Sequence, residues 1–364
     1  MSDDTTRDFT IYEIARSCGG QVEMAMTPRV SLIITVYKRT EYLPRALASA
    51  LSQSYVDFEL IVADDSGTAF SREIVSACKD PRVRYVPNRT TLGIARSLVR
   101  AVEQARGEFI AILNDDDVWE KEFLAELIPP LESEAGCVAT FADHWVMDET
   151  GRIDPALSDA WSASTSRLML SGGIVHDPGE FAIANAGIPI AGAAVFRKDA
   201  VDWSLLVPEV SGAYDYWISC LLVASGGAIY YVPKRLARYR VHEEMETRRR
   251  NRDKGKDLIY IFTTMRERAW FPQLDSVIKS RLADVLLESA RNKLYFGSSS
   301  ESRRLFWRSF LLCFRPVSLA GVVGTFLPPS MRKRLWGLIG PVIDRRPKQQ
   351  TMEAAAVSRA VVSR

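Results

Sequence analysis

One amide and three carboxylates, the run Asn114–Asp117, directly follow the apolar segment 109–113. Crowded carboxylates repel one another and raise one another's pKa unless a cation neutralises them. Oxygen-rich clusters of this kind suit Mg²⁺ or Mn²⁺, which also bind substrate phosphates. The competing interpretation is a solvated turn in which Asp117 caps a helix beginning near Glu120. The run therefore predicts a metal site for a phosphate-bearing substrate, and the turn is the alternative.

The acidic run follows the last of four short apolar segments that alternate with segments of helical periodicity. Short β-branched runs of this kind are typical of buried parallel strands. The predicted strands are 30–36, 58–63, 83–86 and 109–113, and the predicted helices are 41–52, 71–78, 94–105 and 120–134. This alternation predicts an α/β fold with a mostly parallel sheet, in which ligands bind beyond the carboxyl ends of the strands.

Two other strand ends carry polar residues that we expect on the same edge of the sheet. Residues 37–39, Tyr-Lys-Arg, follow the first strand, and Asp64 and Asp65 follow the second. One of these carboxylates could accept hydrogen bonds from a nucleotide base or ribose. Taken alone, however, the pair favours an Asx turn with Ser66 and Gly67.

Beyond residue 134 the pattern becomes less regular. Residues 148–190 mix Gly, Pro, Ser and Asp, which predicts a loop-rich insert, whereas 256–295 has helical periodicity. Further strands are predicted at 138–142, 193–196 and 229–232, with a helix at 214–224.

The net charge of +2 conceals an uneven distribution. Between Lys234 and Lys348 there are 26 Lys and Arg residues against 11 Asp and Glu, so this part carries +15 and the remainder −13. Such a basic third suggests an anionic membrane or a polyanionic acceptor as partner. Within it, segment 303–343 mixes arginine with bulky apolar residues. That mixture predicts either peripheral membrane contact or helices packed on the preceding domain with solvated basic faces.

Cysteine usage and the lengths of apolar runs indicate the expected compartment. The five cysteines are scattered and show no CxxC spacing, which argues against a disulfide framework or zinc site and indicates a reducing cytoplasm. The acidic, polar amino terminus is unlike a secretory signal, and no apolar run approaches the roughly 20 residues of a spanning helix. We expect a cytoplasmic protein that can lie peripherally on the inner face of the cell membrane, with no nucleic acid partner.

Five ordered pieces of sequence carry a resemblance to a known family. They are Val30–Arg39, Leu60–Thr68, the residues Asn88, Gly93, Ala95 and Arg96, then Arg106–Ala111, and finally Leu236–His242. In this order, the segment from 30 to 242 resembles a family 2 glycosyltransferase with the GT-A fold. The resemblance implies a Rossmann-like, mostly parallel central sheet flanked by helices, followed by a helical C-terminal extension.

The same resemblance implies roles for individual residues at the sheet edge. The donor nucleotide would contact Thr35, Tyr37, Arg39, Asp65, Arg96, Asn114 and Asp115, and Mg²⁺ or Mn²⁺ would be bound by Asp116, Asp117 and His242. Asp116 aligns with the last acid of the family's Asp-x-Asp motif. The first acid falls on Asn114, an uncharged departure whose amide can still hydrogen-bond a ribose hydroxyl. For His242 the alternative is an exposed loop histidine.

The catalytic base is expected in segment 211–217, ahead of an aromatic helix. An inverting transfer needs a carboxylate that takes the proton of the acceptor hydroxyl as that oxygen attacks the anomeric carbon. Asp215 is the only acid in this segment, which favours it. Tyr214 stands where the family usually has Glu, and another alignment puts Ala213 at the base position. The remaining alternative is that Asp215 only caps the helix.

The implied domains are an N-terminal extension (1–28), a GT-A catalytic domain (29–245), a basic amphipathic helical region (246–348) and a disordered tail (349–364). In this fold acceptors enter through the loop-rich insert. Its candidate acceptor residues, which could equally be ordinary loop residues, are Trp161, His176, Asp177, Glu180 and Asn185.

The resulting hypothesis is an inverting, metal-dependent glycosyltransferase that uses a UDP-, GDP- or TDP-sugar. Its acceptor would be a hydroxyl of a glycan or lipid-linked molecule in cell-surface polysaccharide synthesis. A nucleotidyltransferase would need a Gly-rich loop after the first strand, where residues 37–40 contain no glycine, and no GxGxxG motif supports an oxidoreductase. A degenerate transferase that only binds nucleotide-sugar or polysaccharide remains an alternative, because of Asn114 and Tyr214.

Overall fold

The computed structural model describes residues 27–38, 41–67, 69–242, 255–296, 298–328 and 331. The chain divides into two compact units, residues 1–245 and 246–364. Arg39, the tail 349–364 and all but residues 27 and 28 of the predicted N-terminal extension lie outside the described residues.

The first unit is built on one ten-stranded sheet. Its strands are β1 (Val30–Val36), β2 (Phe58–Asp64), β3 (Val83–Pro87), β4 (Phe109–Asn114), β5 (Val118–Trp119), β6 (Cys137–Met147), β7 (Ile153–Asp154), β8 (Gly173–Ile174), β9 (Ala194–Arg197) and β10 (Ala228–Arg240). They lie in the order β3-β2-β1-β4-β9-β6-β10-β5, with β7 paired to β6 and β8 to β10. The predicted strands are thus confirmed, although the one predicted at 229–232 continues to Arg240.

The strand register aligns the predicted polar strand ends. Strands β3, β2, β1 and β4 are parallel, and Val36 pairs with Asp64 while Thr35 pairs with Asn114. The expected common edge for the polar residues is therefore confirmed. Strand β9 runs antiparallel between β4 and β6, so the sheet is mixed but mostly parallel.

Helices flank this sheet and fill its surfaces. In the first unit they are α1 (Leu43–Leu51), α2 (Ala69–Ala77), α3 (Ile94–Glu103), α4 (Phe123–Ser133), α5 (Pro155–Ser164), α6 (Pro178–Asn185) and α7 (Tyr214–Ala224). Every residue of β1 and β2 is buried, because helices cover both faces of a parallel sheet.

The prediction of a loop-rich insert at 148–190 missed two helices, since α5 and α6 both lie in it. Each helix has proline in its first turn, where the missing N–H has no intrahelical partner to lose. Asp154 caps α5 by accepting a hydrogen bond from the backbone of Leu157 at 2.9 Å. The Pro and Asp residues that predicted loops therefore mark helix beginnings.

The second unit is helical in its described part. It contains α8 (Gly255–Glu267), α9 (Asp275–Phe296), α10 (Ser299–Leu312) and α11 (Pro316–Gly324). The single helical stretch predicted at 256–295 is therefore two helices, divided where Ala269 takes a positive φ and Pro272 follows. Among the described residues, no helix combines the length and apolarity needed to cross a membrane.

A buried carboxylate at the opposite, amino-terminal edge of the sheet explains the Arg-Gly-Glu sequence at 106–108. Glu59 is buried, and its oxygens accept hydrogen bonds from Ser31 (2.8 Å), Arg84 (2.9 Å) and the backbone of Arg106 (2.7 Å). Burial opposes ionisation of Glu59, but these hydrogen bonds outweigh it and hold its pKa below the usual value. Arg106 thus anchors the start of β4 to β2.

Gly107 then passes against the backbone of β1. A Cβ at this position would stand 2.5 Å from the Ser31 nitrogen and 2.7 Å from the Val30 carbonyl carbon. Its N–H also donates to the Ser31 hydroxyl at 2.8 Å. Only glycine fits this approach without moving β4 away from β1, the strand pair that aligns Asn114 with Thr35.

We expect Gly107→Ala to lower the unfolding free energy by about 3 kcal/mol or more, because two backbones must separate. Gly136→Ala is the control, since Gly136 has a positive φ of 70° but open space around its Cβ. That variant should lose only about 1–2 kcal/mol, the cost of a left-handed backbone. Thermal melts of both variants compare the two costs. Equal melting temperatures would contradict the close-approach argument.

Candidate functional site

The centre of the candidate site is a contact between Asp116 and His242. Asp116 follows β4 and His242 follows β10, and their Oδ2 and Nε2 atoms are 3.0 Å apart. Both side chains are buried, and the ring of Tyr42 lies 5.3 Å from the imidazole, centroid to centroid. The alternative of an exposed loop histidine is therefore wrong. Two of the three predicted metal ligands lie side by side.

The third predicted ligand, Asp117, is held by other partners. Its Oδ1 accepts a hydrogen bond from the backbone of Arg240 at 2.9 Å, and its Oδ2 accepts one from the Asn114 amide at 3.3 Å. Burial, and then the neighbouring charge of Asp116, raises the pKa of Asp117 well above its usual range. Asp117 does not cap the next helix, which begins at Phe123, so that competing interpretation is wrong.

Arg240 is a positioning residue that sequence reasoning did not identify. Its buried guanidinium donates from Nε to the Asp116 carbonyl at 2.8 Å, and from Nη1 to the carbonyls of Asp148 and Glu149 at 3.1 and 3.0 Å. The same group stands 4.6 Å above the ring of Tyr42. Arg240 therefore fixes the acidic turn after β4 to the turn after β6. In the sequence, Arg240 was marked only by its position two residues before His242, in the segment Leu236–His242 that carries part of the family resemblance.

The two departures from the family pattern, Asn114 and Tyr214, contact each other. The Tyr214 hydroxyl donates to Asn114 Oδ1 at 3.0 Å, and the Thr35 hydroxyl donates to the same oxygen at 3.3 Å. Burial, and then the nearby carboxylates beginning with Asp215, raises the pKa of Tyr214 and keeps its phenol a donor. An aspartate in place of Asn114 would add a fourth carboxylate and lose the amide donor to Asp117. Asn114 and Tyr214 are therefore complementary, because the amide oxygen of one accepts the hydrogen bond that the phenol of the other donates.

The other predicted nucleotide contacts mainly shape loops in this structure. Asp115 is buried and accepts a hydrogen bond from the backbone of Tyr37 at 3.1 Å, which fixes the turn after β1. Asp65 accepts from the Asn88 amide (2.8 Å) and from the backbones of Leu92 (2.8 Å) and Gly93 (2.9 Å). These bonds hold the loop that leads into α3.

Asp64 and Arg96 complete this part of the edge. Asp64 forms the predicted Asx turn by accepting from the backbones of Ser66 at 2.8 Å and Gly67 at 3.1 Å. Arg96 is exposed in the first turn of α3, where a cationic side chain is available to a diphosphate. Arg39, the remaining predicted contact, lies outside the described residues.

Asp215 lies in the first turn of α7, next to the Tyr214–Asn114 contact. Its Oδ1 accepts a hydrogen bond from the backbone of Tyr216 at 2.8 Å. Burial raises the pKa of the Asp215 carboxyl, and the backbone hydrogen bonds only partly offset this. A carboxylate with a raised pKa is a stronger base than an ordinary one, which suits a general base.

The predicted acceptor residues do not form one group. Trp161 lies in α5 and packs against His144 (ring centroids 5.6 Å apart) and Tyr239 (5.1 Å). Three others are exposed at the beginning of α6, and one is partly buried at its end: His176, Asp177, Glu180 and Asn185. The structure therefore separates an aromatic cluster around Trp161 from a polar surface on α6.

The side chains of Asp116 and His242 determine which kind of metal site this edge of the sheet fits. Within the described ranges, no three His, Cys, Asp or Glu side chains converge as a ready-made metal cage. Asp116 and His242 supply one carboxylate oxygen and one imidazole nitrogen. They fit a divalent ion that takes its remaining ligands from water and a substrate diphosphate, as Mg²⁺ and Mn²⁺ do with phosphate substrates. They do not fit an all-protein cage.

Comparison of the sequence with known protein families matches the part of the chain that contains the acidic run. A family model described as "Glycosyl transferase family 2" matches residues 31–188, which hold β1 to β4 and the acidic run. Residues 31–188 are thus similar to glycosyltransferase family 2. The matched segment is less than half of the 364-residue chain.

Curated relatives match over shorter stretches. The Escherichia coli UDP-Glc:alpha-D-GlcNAc-diphosphoundecaprenol beta-1,3-glucosyltransferase WfaP is 34% identical over 105 residues, covering 29% of this chain and 42% of WfaP. The putative teichuronic acid biosynthesis glycosyltransferase TuaG of Bacillus subtilis is 30% identical over 126 residues, covering 34% of this chain and 50% of TuaG. The chain thus spans half or less of these relatives' lengths.

The fold is similar to that of a solved structure from S. aureus. The structure of S. aureus TarS 1–349 in complex with UDP-GlcNAc superposes with a TM-score of 0.54 at 16% identity, covering 91% of this chain and 88% of that one. At this identity the likeness concerns the fold alone. The expected GT-A fold is confirmed.

We expect Asp215→Asn to raise the melting temperature at neutral pH. Because the folded-state pKa of Asp215 is raised, the charged carboxylate costs stability above its unfolded pKa of about 4. The gain should therefore vanish as the pH falls below that value, where both states are protonated. Glu209→Gln removes an exposed carboxylate nearby and should change little. Melts from pH 3 to 8 test this; a gain independent of pH would contradict it.

Proposed function

We propose that this chain is an inverting glycosyltransferase that uses a nucleoside diphosphate sugar and a divalent metal. It transfers the sugar to a hydroxyl of a glycan or lipid-linked acceptor in cell-surface polysaccharide synthesis. The observation that carries the proposal is the Asp116–His242 pair, held beside Tyr37 and Asn114 at the carboxyl edge of a family 2 domain.

The donor is a UDP-, GDP- or TDP-sugar, and UDP-sugars are the first candidates. WfaP, the relative with 34% identity, is named for UDP-Glc as donor and a diphosphoundecaprenol-linked sugar as acceptor. The turn after β1, fixed by Asp115, and the loop fixed by Asp65 frame the base and ribose. Arg96 contacts the diphosphate from the first turn of α3, whose amino terminus also favours anions.

Asp116 and His242 hold the metal, which would neutralise charge on the departing nucleoside diphosphate. Asp117 and Arg240 act on this pair indirectly. The Arg240 side chain holds the Asp116 main chain, and its backbone N–H holds the Asp117 carboxylate. Asp117 is thus a reserve ligand whose hydrogen bonds would have to be replaced on coordination.

Asp215 acts as the base. It takes the proton of the acceptor hydroxyl while that oxygen forms its bond to the anomeric carbon, and the bond from this carbon to the diphosphate breaks. Attack opposite the leaving group inverts the configuration. The Tyr214 hydroxyl, fixed on Asn114, places the beginning of α7 at the site. The reaction takes place in the cytoplasm or at the inner face of the cell membrane.

Asp116→Ala should reduce metal-dependent release of nucleoside diphosphate by about 100-fold or more, the scale for losing one transition-state charge stabiliser. The purified protein would receive UDP-, GDP- and TDP-sugars with Mn²⁺ or Mg²⁺. Asp199→Ala, an exposed carboxylate after β9, is the control and should keep full activity. Release that is equally fast in Asp116→Ala, or unaffected by chelation of the metal, would overturn the metal assignment.

Asp215→Asn should lose sugar transfer by about 100- to 10,000-fold, the usual contribution of a general base, while binding of donor to protein remains unchanged. Transfer is measured as glycosylated acceptor, and donor binding by titration calorimetry. Glu209→Gln serves again as the exposed control. Unchanged transfer in Asp215→Asn would remove Asp215 from the base role and direct attention to the alternative alignment at Ala213.

A second candidate function is a nucleotide-sugar or polysaccharide binding protein without turnover. The engaged carboxylates of Asp65 and Asp117 and the uncharged Asn114 are the observations that favour it. Tight nucleotide binding with no turnover on any donor and acceptor would establish this alternative. Metal-dependent turnover that is lost in Asp116→Ala would exclude it.

A further inference from the structure

Helices α10 and α11 form a hairpin whose inner surface includes three small polar residues beside an apolar cluster. Ser302, Ser309 and Ser318 are completely buried. The Ser302 hydroxyl donates to the Ala290 carbonyl at 2.7 Å, and the Ser309 hydroxyl donates to the Ala283 carbonyl at 2.8 Å. The Ser309 and Ser318 hydroxyls lie 2.9 Å apart. The hairpin is therefore joined to α9 and to itself through hydroxyl hydrogen bonds.

One aromatic side chain and one glycine complete this inner surface. Phe306 is fully buried and packs in a small cluster with Ala290 and Leu294. A Cβ at Gly321 would lie 2.4 Å from the Phe306 ring, so α11 approaches α10 closely at this point. Buried serine, glycine and close helix approach are typical of helix contacts in apolar surroundings.

The large apolar side chains lie on the outside of the hairpin. On α10 and just beyond it, Trp307, Leu311 and Phe314 are 46, 67 and 80% exposed. On α11 and just beyond it, Leu319, Val323 and Phe326 are 41, 55 and 67% exposed. Within the helices, Trp307 and Leu311 on α10, and Leu319 and Val323 on α11, have the spacing i, i+4, which places each pair on one side of its helix.

This concentration is specific to the hairpin. Of the eleven large apolar side chains exposed among the described residues, seven lie between Trp307 and Met331. Contiguous exposed apolar surface usually marks an interaction site, whereas single exposed residues need no explanation. The surface formed by Trp307, Leu311, Phe314, Leu319, Val323 and Phe326 is called the hairpin face below.

Positive charge accompanies the hairpin face. Arg304 and Arg308 are exposed on either side of Trp307 in sequence, and the Arg303 guanidinium stands 3.7 Å above the ring of Phe326. The one acid in α10, Glu301, already pairs with Lys293 at 3.3 Å. A second copy of the chain would bring like charges together, which disfavours self-association through this surface. An anionic partner is favoured.

We propose that the hairpin face docks on a lipid bilayer with anionic headgroups. Helices of 14 and 9 residues are about 21 and 14 Å long, too short to cross the roughly 30 Å hydrocarbon core. They fit the interface plane, with leucine and phenylalanine below the headgroups, tryptophan at their level and arginine on the phosphates. Of the two interpretations left open for 303–343, the described part favours membrane contact. Residues 329, 330 and 332–343 lie outside the described part.

The test is co-sedimentation of the full chain with vesicles of phosphatidylcholine containing phosphatidylglycerol, and with phosphatidylcholine alone. The wild-type chain should bind the anionic vesicles more tightly. Leu311→Ser combined with Phe314→Ser should weaken binding about tenfold or more, by loss of buried apolar area. Leu168→Ser combined with Met169→Ser is the matched control, because these side chains are 58 and 85% exposed elsewhere in the chain.

A second pair of variants tests the charge. Arg304→Gln with Arg308→Gln should lower binding to anionic vesicles about tenfold but leave the weak binding to phosphatidylcholine unchanged. Lys79→Gln with Lys121→Gln removes two exposed lysines elsewhere and should have no effect. Retained circular dichroism and melting temperature would show that the variants fold.

Two results would overturn the proposal. One is equal vesicle binding by the wild-type chain and by both hairpin variants. The other is a wild-type dimer in light scattering that dissociates in Leu311→Ser with Phe314→Ser while no form binds vesicles, since the face would then join two copies. Neither result bears on nucleotide-sugar turnover, because the hairpin lies outside the family 2 segment.

Discussion

The burial of three consecutive carboxylates at the end of β4 is the constraint on which the rest of the site depends. Buried charge is costly unless it is paired or hydrogen-bonded. Asp115 is held by the backbone of Tyr37, Asp116 by His242, and Asp117 by the backbone of Arg240. The partners come from the turn after β1 and from the end of β10. The acidic run therefore holds these two parts of the chain at the same site.

The same constraint accounts for the unusual residues beside the run. Asn114 supplies an amide N–H to Asp117 and an oxygen to the hydroxyls of Tyr214 and Thr35, which a fourth carboxylate could do only in part. The beginning of α7, and with it Asp215, is thereby tied to the carboxyl edge of the sheet. Asn114 and Tyr214, the two departures from the family pattern, contact each other. They therefore form one altered interaction and are not two unrelated losses of a carboxylate.

The two edges of the sheet and the second unit use buried polar groups differently. At the amino edge, Glu59 and Gly107 fix the strands, because the Glu59 carboxylate is paired with Arg84 and Arg106 and the backbones of β1 and Gly107 are in close contact. At the carboxyl edge, burial raises the pKa values of Asp117, Tyr214 and Asp215, which favours the protonated form of each group. In the hairpin, Ser302, Ser309 and Ser318 are buried beside Phe306, whereas Trp307, Phe314 and Phe326 are exposed.

The sequence by itself determined the strand and helix pattern of the first unit and the family resemblance. It also determined that the polar residues after β1, β2 and β4 share an edge. These follow from local periodicity and from the direction of parallel strands, which need no distant contacts. The helices α5 and α6 escaped prediction because their proline and aspartate beginnings resemble loops.

Only the tertiary structure decided which residues meet. The contact between Asp116 and His242 joins positions 126 apart in sequence, and that between Asn114 and Tyr214 joins positions 100 apart. Such pairs depend on strand order and register, which no local pattern encodes. The role of Arg240 and the outward direction of Trp307, Leu311 and Phe314 were likewise decided by packing, because a side chain's surroundings are set by elements far along the chain.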